Sequence, residues 1–499
     1  MSKFNTTIKQ NLNKTINCEG AKAYKLTPKM ELISSVLTTF IEDSFYRSKN
    51  ETLNNLKELI LKINDPIFTA KLALYARTEA NMRSVSHVLA GYLASMEFRP
   101  DTEWTVKKKH FFEQIIQRPD DMSEILAFYD SIQEDKVERS IPNALKKGFR
   151  KAFNKFTDYQ ISKYQTREKE WKLVDIVNVV KPIPQTNNSI SLSKLIKDEL
   201  LVEDTWEAML SKGLQDIKTE EEKTAKKKQI WEYLITENKL PYMALLRNLR
   251  NILSVVSEPV LLKALRYLET ENAILWSKVL PYRFYTAYKE IKKLNLPEAS
   301  KVMESISNAA DIALQNTPIL EGKSLIVVDA SGSMTSPPSG KSDMNMIEIA
   351  SIFAASFYKK NIASHLMIFS NNAQYIPLNR KDTLLSLVDQ IISKTEQAGT
   401  KFSSIFNTAT SSYERIIILS DMQGMDGKGK VQESLRSYRE RNESDPKIFN
   451  IDMSSYGTIQ FPENKIYCIT GWSDKMIHLI GELEKNPEAL IQEIESIYL

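Results

Sequence analysis

The sequence has few of the residues that build disulfide frameworks, zinc sites and catalytic triads. It contains 2 cysteines and 4 histidines among 499 residues. Cys18 and Cys468 lie far apart, which argues against a disulfide framework or a metal knuckle and favours a reducing compartment. The histidines show no ligand or triad spacing, and no phosphate-cradling loop occurs. We therefore expect a protein that is not an enzyme, and we expect His87, inside a helical segment, to be packed or hydrogen-bonded.

Long apolar segments are also missing. No run approaches the length that spans a bilayer, and the first residues do not have the pattern of a signal peptide. We therefore expect a cytoplasmic protein with no membrane partner. Residues 1–25, rich in Lys, Asn and Thr, are predicted to form a partly ordered tail.

Glycine is scarce in the first two thirds of the chain. Of the 14 glycines, 4 precede residue 321 and the other 10 follow it. Glycine is disfavoured inside helices and common in loops and tight strand turns. The sequence therefore predicts a helical region over residues 26–316 and an α/β domain over residues 317–499. The net charge of +4 divides the same way, because Lys and Arg exceed Asp and Glu only before residue 321; this weakly favours a polyanionic partner for the helices.

Apolar residues recur at three- and four-residue spacing in successive blocks of the first region. Examples of predicted helices are Met30–Phe45, Leu53–Ile63, Pro66–Arg77, Val85–Met96 and Met122–Ile132. The connections are short, and several contain Pro or Asn. Such helices are expected to stack as antiparallel pairs.

The stretch IVVDASGSM, residues 326–334, combines a buried strand with a polar turn. A continuous apolar run without alternation predicts a parallel strand that is covered on both faces, and open α/β sheets bind ligands where such strands end. Asp329, Ser331 and Ser333 offer only oxygen ligands, which suit a hard cation such as Mg²⁺ or Mn²⁺. The alternative is a serine-rich cap of the next helix.

Two later segments complete a known pattern. Thr400 lies in a loop after a helical run, and RIIILSD, residues 415–421, is a second apolar strand that leads into Asp421. Together with Asp329, Ser331 and Ser333, these residues resemble the metal-ion-dependent adhesion site of von Willebrand factor A domains. The resemblance implies a doubly wound, Rossmann-like fold. It also implies that the hydroxyls contact the metal, that the two aspartates bind it directly or through water, and that a partner protein donates a carboxylate to an open position.

Four blocks of the helical region resemble the TROVE module of the Ro 60 kDa family, in which an A domain follows that module. The blocks span residues Lys71–Ala94, Asn143–Phe153, Leu240–Ile252 and Val279–Ile291. The resemblance implies a ring of HEAT-like helices that binds small noncoding Y RNAs and the single-stranded ends of misfolded RNAs. The bound RNA would lie in a basic central hole and on the outer surface of the ring.

A short helix around residue 150 carries a cluster of cations opposite an apolar face. The cluster contains Lys146, Lys147, Arg150, Lys151 and Lys155. Spacing of three to four residues places several of these charges on one surface, where each can neutralise a phosphate and release counterions. From the residues alone, a solvated charged face is the favoured interpretation, whereas the family resemblance favours RNA contact.

A second basic segment, residues 162–175, matches a family block that is implicated in Y RNA binding. The resemblance assigns RNA contacts to Lys163, Arg167 and Lys172. Relatives carry a histidine where this chain has Trp171 or Lys172. A tryptophan can stack on an exposed base, but it cannot accept a hydrogen bond.

Arg247, in ALLRNLR, and Arg283, in LPYRFY, are further candidates for RNA contact. They either face the hole of the ring or cap and bridge neighbouring repeats. Two functions therefore stay open for the whole chain. The first is an RNA-binding component of a small ribonucleoprotein whose A domain recruits a protein. The second is a protein-interaction scaffold that acts mainly through the A domain, with helices that bind peptide rather than RNA.

Overall fold

The structure is a computed structural model of the chain. The described residues are 14–16, 22–25, 27–38, 49–80, 82–98, 102–133, 140–165, 169–200, 206–215, 217–277, 279, 281–337, 344–395, 398–427, 429–453, 458–459, 466–470, 477, 480–481, 483–484 and 489–499. The fold has two compact units. One contains residues 53–216 and 491–499, and the other contains residues 1–52 and 217–490.

The unit around residues 53–216 is helical. Its helices are α2 (Lys49–Ile63), which begins just before it, α3 (Pro66–Thr78), α4 (Arg83–Ser95), α5 (Thr102–Gln114), α6 (Pro119–Ser131), α7 (Asn143–Ala152), α8 (Asp158–Lys163), α9 (Leu173–Val180), α10 (Ser189–Ile196) and α11 (Trp206–Gly213). The predicted helices from residue 53 to residue 132 are confirmed to within a few residues. The Asp65 side chain caps α3 by accepting from the Phe68 N–H at 2.9 Å, with Pro66 in the first turn.

Two glycines permit close helix packing in this unit. A Cβ on Gly91 would lie 2.4 Å from the Phe128 ring, so α4 and α6 approach closely at this point. A Cβ on Gly148 would lie 2.5 Å from the Cβ of Phe112 and 2.8 Å from the carbonyl oxygen of Lys109. Because real Cβ atoms do not come this near to other heavy atoms, α7 can pack on α5 only with glycine at this position.

The other unit combines helices with the α/β domain. Its helices are α1 (Pro28–Thr38), α12 (Glu220–Thr236), α13 (Tyr242–Leu253), α14 (Glu258–Leu268), α15 (Glu271–Ser277), α16 (Pro281–Lys292), α17 (Ala299–Ala313), α18 (Met346–Lys360), α19 (Leu384–Ser393), α20 (Ser403–Thr408) and α21 (Lys430–Asn442). The helix α22 (Ala489–Ser496) belongs mostly to the first unit. The predicted continuation of α1 to Phe45 lies outside the described residues.

Nine strands form two sheets in the part of the chain that the structure describes. They are β1 (Lys14–Ile16), β2 (Lys22–Lys25), β3 (Ser324–Asp329), β4 (Ser364–Phe369), β5 (Ala373–Tyr375), β6 (Arg415–Ser420), β7 (Lys447–Asp452), β8 (Thr458–Ile459) and β9 (Ile466–Thr470). The large sheet has the order β5-β4-β3-β6-β7-β9, parallel except for β5 at its edge. Strands β3 and β6 are buried along their whole length, as the apolar runs predict.

Two of the three strands of a small antiparallel sheet, β1 and β2, lie in the segment that is predicted to be a partly ordered tail. Strand β1 pairs with β2, and β2 pairs with β8. The contact between Tyr24 and Ile459 joins residues from the two ends of the sequence. Composition could not predict this pairing, because pairing with a distant strand does not appear in local sequence.

Candidate functional site

Two neighbouring strands of the large sheet lead into aspartates at the same sheet edge. Strand β3 ends at Asp329, and Asp421 directly follows its parallel neighbour β6. Both side chains are fully buried. The Oδ2 atom of Asp329 accepts a hydrogen bond from the Ser420 hydroxyl at 2.5 Å, and its Oδ1 atom accepts one from the Ser331 backbone N–H at 2.8 Å. The predicted strand-end cluster is therefore present around these carboxylates.

The two loops that carry the predicted hydroxyl ligands are tied together. The hydroxyl oxygens of Ser331 and Ser333 lie 3.2 Å apart. The backbone N–H of Gly332 donates to the carbonyl oxygen of Ala398 at 3.2 Å. Ala398 is two residues before Thr400, which is itself buried. The loop after β3 and the loop that carries Thr400 thus form one polar corner of the domain.

The electrostatics of this corner favour a bound cation. Burial and the charge of the neighbouring Asp421 together raise the pKa of Asp329 to about 7. A divalent cation would reverse both effects by favouring the charged carboxylates. The described part of the chain contains no group of three or more His, Cys, Asp or Glu residues that could hold a metal. A site here would combine two carboxylates with three hydroxyls, an all-oxygen set that fits Mg²⁺ or Mn²⁺ better than zinc.

Helices α5 and α7 bring two basic runs into one packed pair. Helix α7 carries the four predicted cations Lys146, Lys147, Arg150 and Lys151. Helix α5 contributes three consecutive lysines, Lys107, Lys108 and Lys109, which were not among the predicted RNA contacts. The consecutive lysines were visible in the sequence, but only the packing at Gly148 places them beside α7.

Among the described residues, Lys108 of this helix pair lies against the Trp104 ring without a carboxylate partner, and three further lysines have neither a carboxylate nor an aromatic partner. They are Lys109, Lys146 and Lys147, and we call them the α5–α7 lysine cluster. Lys109 and Lys147 are exposed, and Lys146 is half-buried. Unpaired ammonium groups at neighbouring helices repel one another and attract phosphate. This cluster is therefore a candidate nucleic-acid contact.

Other cations of the predicted cluster serve the fold. The Nε–H of Arg150 donates to the carbonyl oxygen of Val180 at 2.6 Å, where α9 ends. The ammonium group of Lys155 donates to the carbonyl oxygens of Glu113 at 2.5 Å and Ile116 at 3.2 Å, at the end of α5. Cations are favourable at these positions because the last carbonyls of a helix lack intrahelical partners.

The second basic segment is only partly available for contact. The Lys163 ammonium lies 3.0 Å from a carboxylate oxygen of Glu207. Burial lowers the pKa of Lys163, but the hydrogen bond and the charge of Glu207, together with the nearby Tyr159 and Tyr164, leave it above its ordinary value. Lys172 is exposed at the start of α9. Arg167 lies outside the described residues.

Trp171, whose ring could stack on an exposed base, has a hydrogen-bond partner within the protein. Its indole N–H donates to Asp130 at 2.8 Å, and the residue is half-buried. This contact joins residues 41 positions apart in sequence. The indole therefore helps to hold the segment against α6, and sequence alone did not indicate it.

Arg247 on α13 and Arg283 on α16 lie close enough for the positive charge of Arg283 to act on Arg247. Burial lowers the pKa of Arg247, and the charge of Arg283 lowers it further. Arg247 is exposed, and the Arg283 guanidinium lies 4.6 Å from the ring centre of Tyr282. Within the part of the chain that the structure describes, the buried Nε of Arg283 has no hydrogen-bond partner. Arg250, one turn beyond Arg247, binds Glu290 at 3.1 Å instead.

His87 belongs to a buried ion network and not to a catalytic site. Its ring nitrogens lie 2.9 Å from Glu124 and 3.2 Å from Asp121. Arg77 and Arg83 also bind Asp121, at 3.0 Å and 2.8 Å. Burial alone would raise the pKa of Asp121, but His87 and Arg77 hold it well below its usual value. The expectation that His87 is packed and hydrogen-bonded is confirmed.

Comparison with known families identifies the class of protein that this fold and these sites define. The model of the TROVE domain matches residues 27–229 and 200–340, and the model of the Ro60 vWA domain matches residues 323–483. Together they describe a helical RNA-binding module that precedes an A-type α/β domain. The chain belongs to the TROVE family of RNA-binding ribonucleoprotein components, and its A domain is of the Ro60 type.

Individual relatives agree with this assignment. Telomerase protein component 1 of Mus musculus is 24% identical over 317 residues, and that of Rattus norvegicus is 22% identical over 321 residues. Each alignment covers 49% of this chain and 12% of the relative, so the chain matches only a small part of these much longer proteins.

A solved structure supports the fold over nearly the whole chain. The crystal structure of the Deinococcus radiodurans RO (RSR) protein aligns with a TM-score of 0.59 at 14% identity, covering 94% of this chain and 99% of that one. The prediction of a helical region followed by an α/β domain is thus confirmed. Among the described residues, we find no helix with the length and apolar character needed to cross a membrane.

Proposed function

We propose that this protein holds small noncoding RNA, or the single-stranded ends of misfolded RNA, on its basic helices as part of a ribonucleoprotein. The observation that carries the proposal is the α5–α7 lysine cluster. Three ammonium groups without a carboxylate partner among the described residues lie on two packed helices. An RNA backbone supplies the missing negative charge, and the release of its counterions drives binding.

The arginine pair of α13 and α16 supports the same function. The charge of Arg283 lowers the pKa of Arg247, and an anion that contacts both guanidinium groups would offset this repulsion. A phosphate suits this position because guanidinium groups bind phosphate oxygens with paired hydrogen bonds. Contacts of this kind position RNA without reading its bases. We therefore expect these phosphate contacts to bind RNAs of many different sequences.

The A domain would supply a second, metal-dependent interaction. Asp329, Asp421, Ser331, Ser333 and Thr400 are the residues that would hold Mg²⁺ or Mn²⁺. The bound cation would offer an open position to a carboxylate of a partner protein. A single metal among hydroxyl ligands, with no evident general base in the described residues, supports binding better than hydrolysis. The proposal therefore includes no catalytic role.

Purification without nuclease tests the RNA function. The full-length protein should retain RNA, which raises its 260/280 absorbance ratio until ribonuclease is added. The logarithm of its RNA affinity should fall linearly with the logarithm of salt concentration, by roughly 0.7 per phosphate contact on a single strand. A protein that retains no RNA and binds none at low salt would contradict this function. It would favour a scaffold that acts through the A domain.

Calorimetry tests the metal site. The full-length protein should bind Mg²⁺ or Mn²⁺, and the double variant Asp329→Ala, Ser331→Ala should not. Ser336→Ala, just beyond the loop, is the control and should bind metal normally. The double variant should keep its RNA affinity, since the proposed phosphate contacts lie on other elements. Unchanged metal binding in the double variant would refute the metal assignment, and a large loss of RNA binding would refute the division of roles.

A further inference from the structure

A cleft of about 190 Å³ opens between α8 and α10, and no role has yet been given to it. Tyr159 of α8 and Ile190 of α10 line it and leave 52% and 61% of their surfaces exposed. Leu200, which is 3% exposed, adds a buried apolar contact. An exposed aromatic ring and an exposed aliphatic side chain on the two helices give the cleft apolar walls.

Polar groups line the rest of the cleft. The hydroxyls of Ser162 and Ser191 lie 3.4 Å apart, and the Ser191 hydroxyl donates to the carbonyl oxygen of Asp158 at 3.1 Å. The exposed side chains of Lys194 and Glu199 also line the cleft. The cleft thus combines apolar walls with one acceptor-only carboxylate, one donor-only ammonium group and two hydroxyls.

The size of the cleft limits what it can hold. The volume of the cleft is about 190 Å³. Pockets for drug-sized ligands and cofactors begin at about 300 Å³. One planar ring system fits the cleft, whereas a complete dinucleotide or a folded peptide segment does not.

We propose that the cleft receives a single unstacked guanine base of bound RNA. This inference rests on the proposed RNA function. Single-stranded RNA is recognised by stacking of splayed bases on aromatic side chains and by hydrogen bonds to their edges. The Tyr159 ring offers the stacking surface, and Ile190 offers an apolar contact to the base.

The polar groups favour guanine over the other bases. Guanine presents two adjacent donors, N1–H and the N2 amino group, next to the O6 acceptor. A carboxylate such as Glu199 accepts from both donors, and an ammonium group such as Lys194 donates to O6. Adenine and cytosine offer one donor group beside an acceptor, and uracil offers one donor between two acceptors, so none of them matches this set.

A cation next to the cleft suits the phosphate that accompanies the base. The Lys163 ammonium lies 6.0 Å from the ring centre of Tyr159, and it also binds Glu207. A nucleotide whose base stacks on Tyr159 would bring its phosphate into the field of this charge. The cleft and Lys163 would together bind one nucleotide.

The test compares short oligouridines that carry one central guanosine, one adenosine or one abasic residue. The full-length protein should bind the guanosine oligomer roughly tenfold more tightly than the abasic one, as expected for one stacked base. Tyr159→Ala should remove this difference, and Tyr159→Phe should keep it. Glu199→Gln should reduce the preference for guanosine over adenosine. Ile183→Ala, which alters an apolar side chain that is 69% exposed and outside the cleft lining, is the control.

The outcomes separate this inference from the function on which it rests. A protein that binds none of the oligomers refutes the RNA function and the base site together. A protein that binds all three equally keeps the RNA function and refutes the base site. The base site is also refuted if Tyr159→Ala and Ile183→Ala lose the same amount of RNA affinity. It is likewise refuted if Tyr159→Ala weakens binding of the guanosine and abasic oligomers by the same factor.

Discussion

The ammonium group of Lys289 on α16 lies 2.6 Å from the Oε1 atom of Glu348 on α18. Lys289 belongs to the region that matches the TROVE model, and Glu348 belongs to the region that matches the A domain. The Oε2 atom of the same carboxylate accepts from the Asn345 N–H at 2.9 Å, where α18 begins. One nearly buried carboxylate therefore caps a helix of the A domain and binds a helix of the preceding module.

Removing the cation of this pair should lower the stability of the unit that contains it. We expect Lys289→Ala to decrease the free energy of unfolding by about 1–2 kcal/mol, because a nearly buried carboxylate loses a charged hydrogen bond. Urea titration measures the change. The control is Lys293→Ala, whose ion pair with Glu290 is exposed and should contribute less than about 0.5 kcal/mol. Equal effects of the two substitutions would show that the Lys289–Glu348 pair contributes no more to the free energy of unfolding than an exposed ion pair.

Adding a methyl group at Gly148 should disturb the packing of α5 and α7. The new Cβ would lie 2.8 Å from the Lys109 carbonyl oxygen, which belongs to backbone and cannot move cheaply. We expect Gly148→Ala to lower the free energy of unfolding by about 1–3 kcal/mol, the usual range for overpacking. Lys147→Ala, at the exposed neighbouring position, should change it by less than about 0.5 kcal/mol. A fully stable Gly148→Ala protein would contradict the close helix approach.

The stabilising effect of Mg²⁺ should depend on pH. The pKa of Asp329 is about 7 in the folded protein and about 3.9 in an unfolded chain. Between about pH 4 and about pH 7, the Asp329 carboxyl therefore keeps its proton in the folded state but loses it in the unfolded chain. Without metal, the stability of the folded state falls as pH rises through this range. A cation replaces that proton. The rise in melting temperature with Mg²⁺ should thus be larger at pH 8 than at pH 5.

Asp329→Asn checks this explanation. The variant should gain stability at pH 8 without metal, since it removes the buried charge, and Mg²⁺ should no longer raise its melting temperature. Thermal unfolding with Mg²⁺ and with chelator measures both effects. A variant that still responds to Mg²⁺ like the unmodified protein would place the metal elsewhere.

The two arginines of α13 should differ in their effect on RNA. Arg247→Gln removes a charge that lies beside Arg283, whereas Arg250→Gln removes one that already binds Glu290. We expect Arg247→Gln to weaken RNA binding about tenfold, equivalent to one charged hydrogen bond, and Arg250→Gln to weaken it much less. Neither should destabilise the fold strongly. Equal losses of RNA affinity would indicate a general effect of charge.

Local sequence predicted the A domain well because its elements and its site are local. Continuous runs of β-branched residues define β3 and β6. The positions of Asp329 and Asp421 could be predicted because each lies at or next to the end of its strand. Parallel pairing then brings the two carboxylates to one edge. The helices between residues 53 and 132 were predictable for the same reason, since their apolar spacing and their caps lie within each helix.

The candidate RNA contacts depended on tertiary contacts that no local pattern shows. The lysines of α5 meet α7 only because Gly148 lets the helices approach. Arg150 and Lys155 had the same appearance in sequence as their neighbours, yet they bind backbone carbonyls of other helices. The pairing of Trp171 with Asp130 likewise joins separate segments. Charge patterns located the basic regions, but tertiary packing decided which cations are available.

The salt dependence of RNA binding by a variant of the α5–α7 lysine cluster tests the central claim most directly. The triple variant Lys109→Gln, Lys146→Gln, Lys147→Gln should bind single-stranded RNAs of different sequence more weakly by a similar factor. The slope of log affinity against log salt should become shallower by roughly 0.7 for each lost contact, or about 2 in all. The matched control replaces Lys223, Lys226 and Lys227 of α12 with Gln, at the same change in net charge, and should keep the original slope. An unchanged slope in the cluster variant, or the same reduction in the control, would contradict the assignment of these lysines to the RNA backbone.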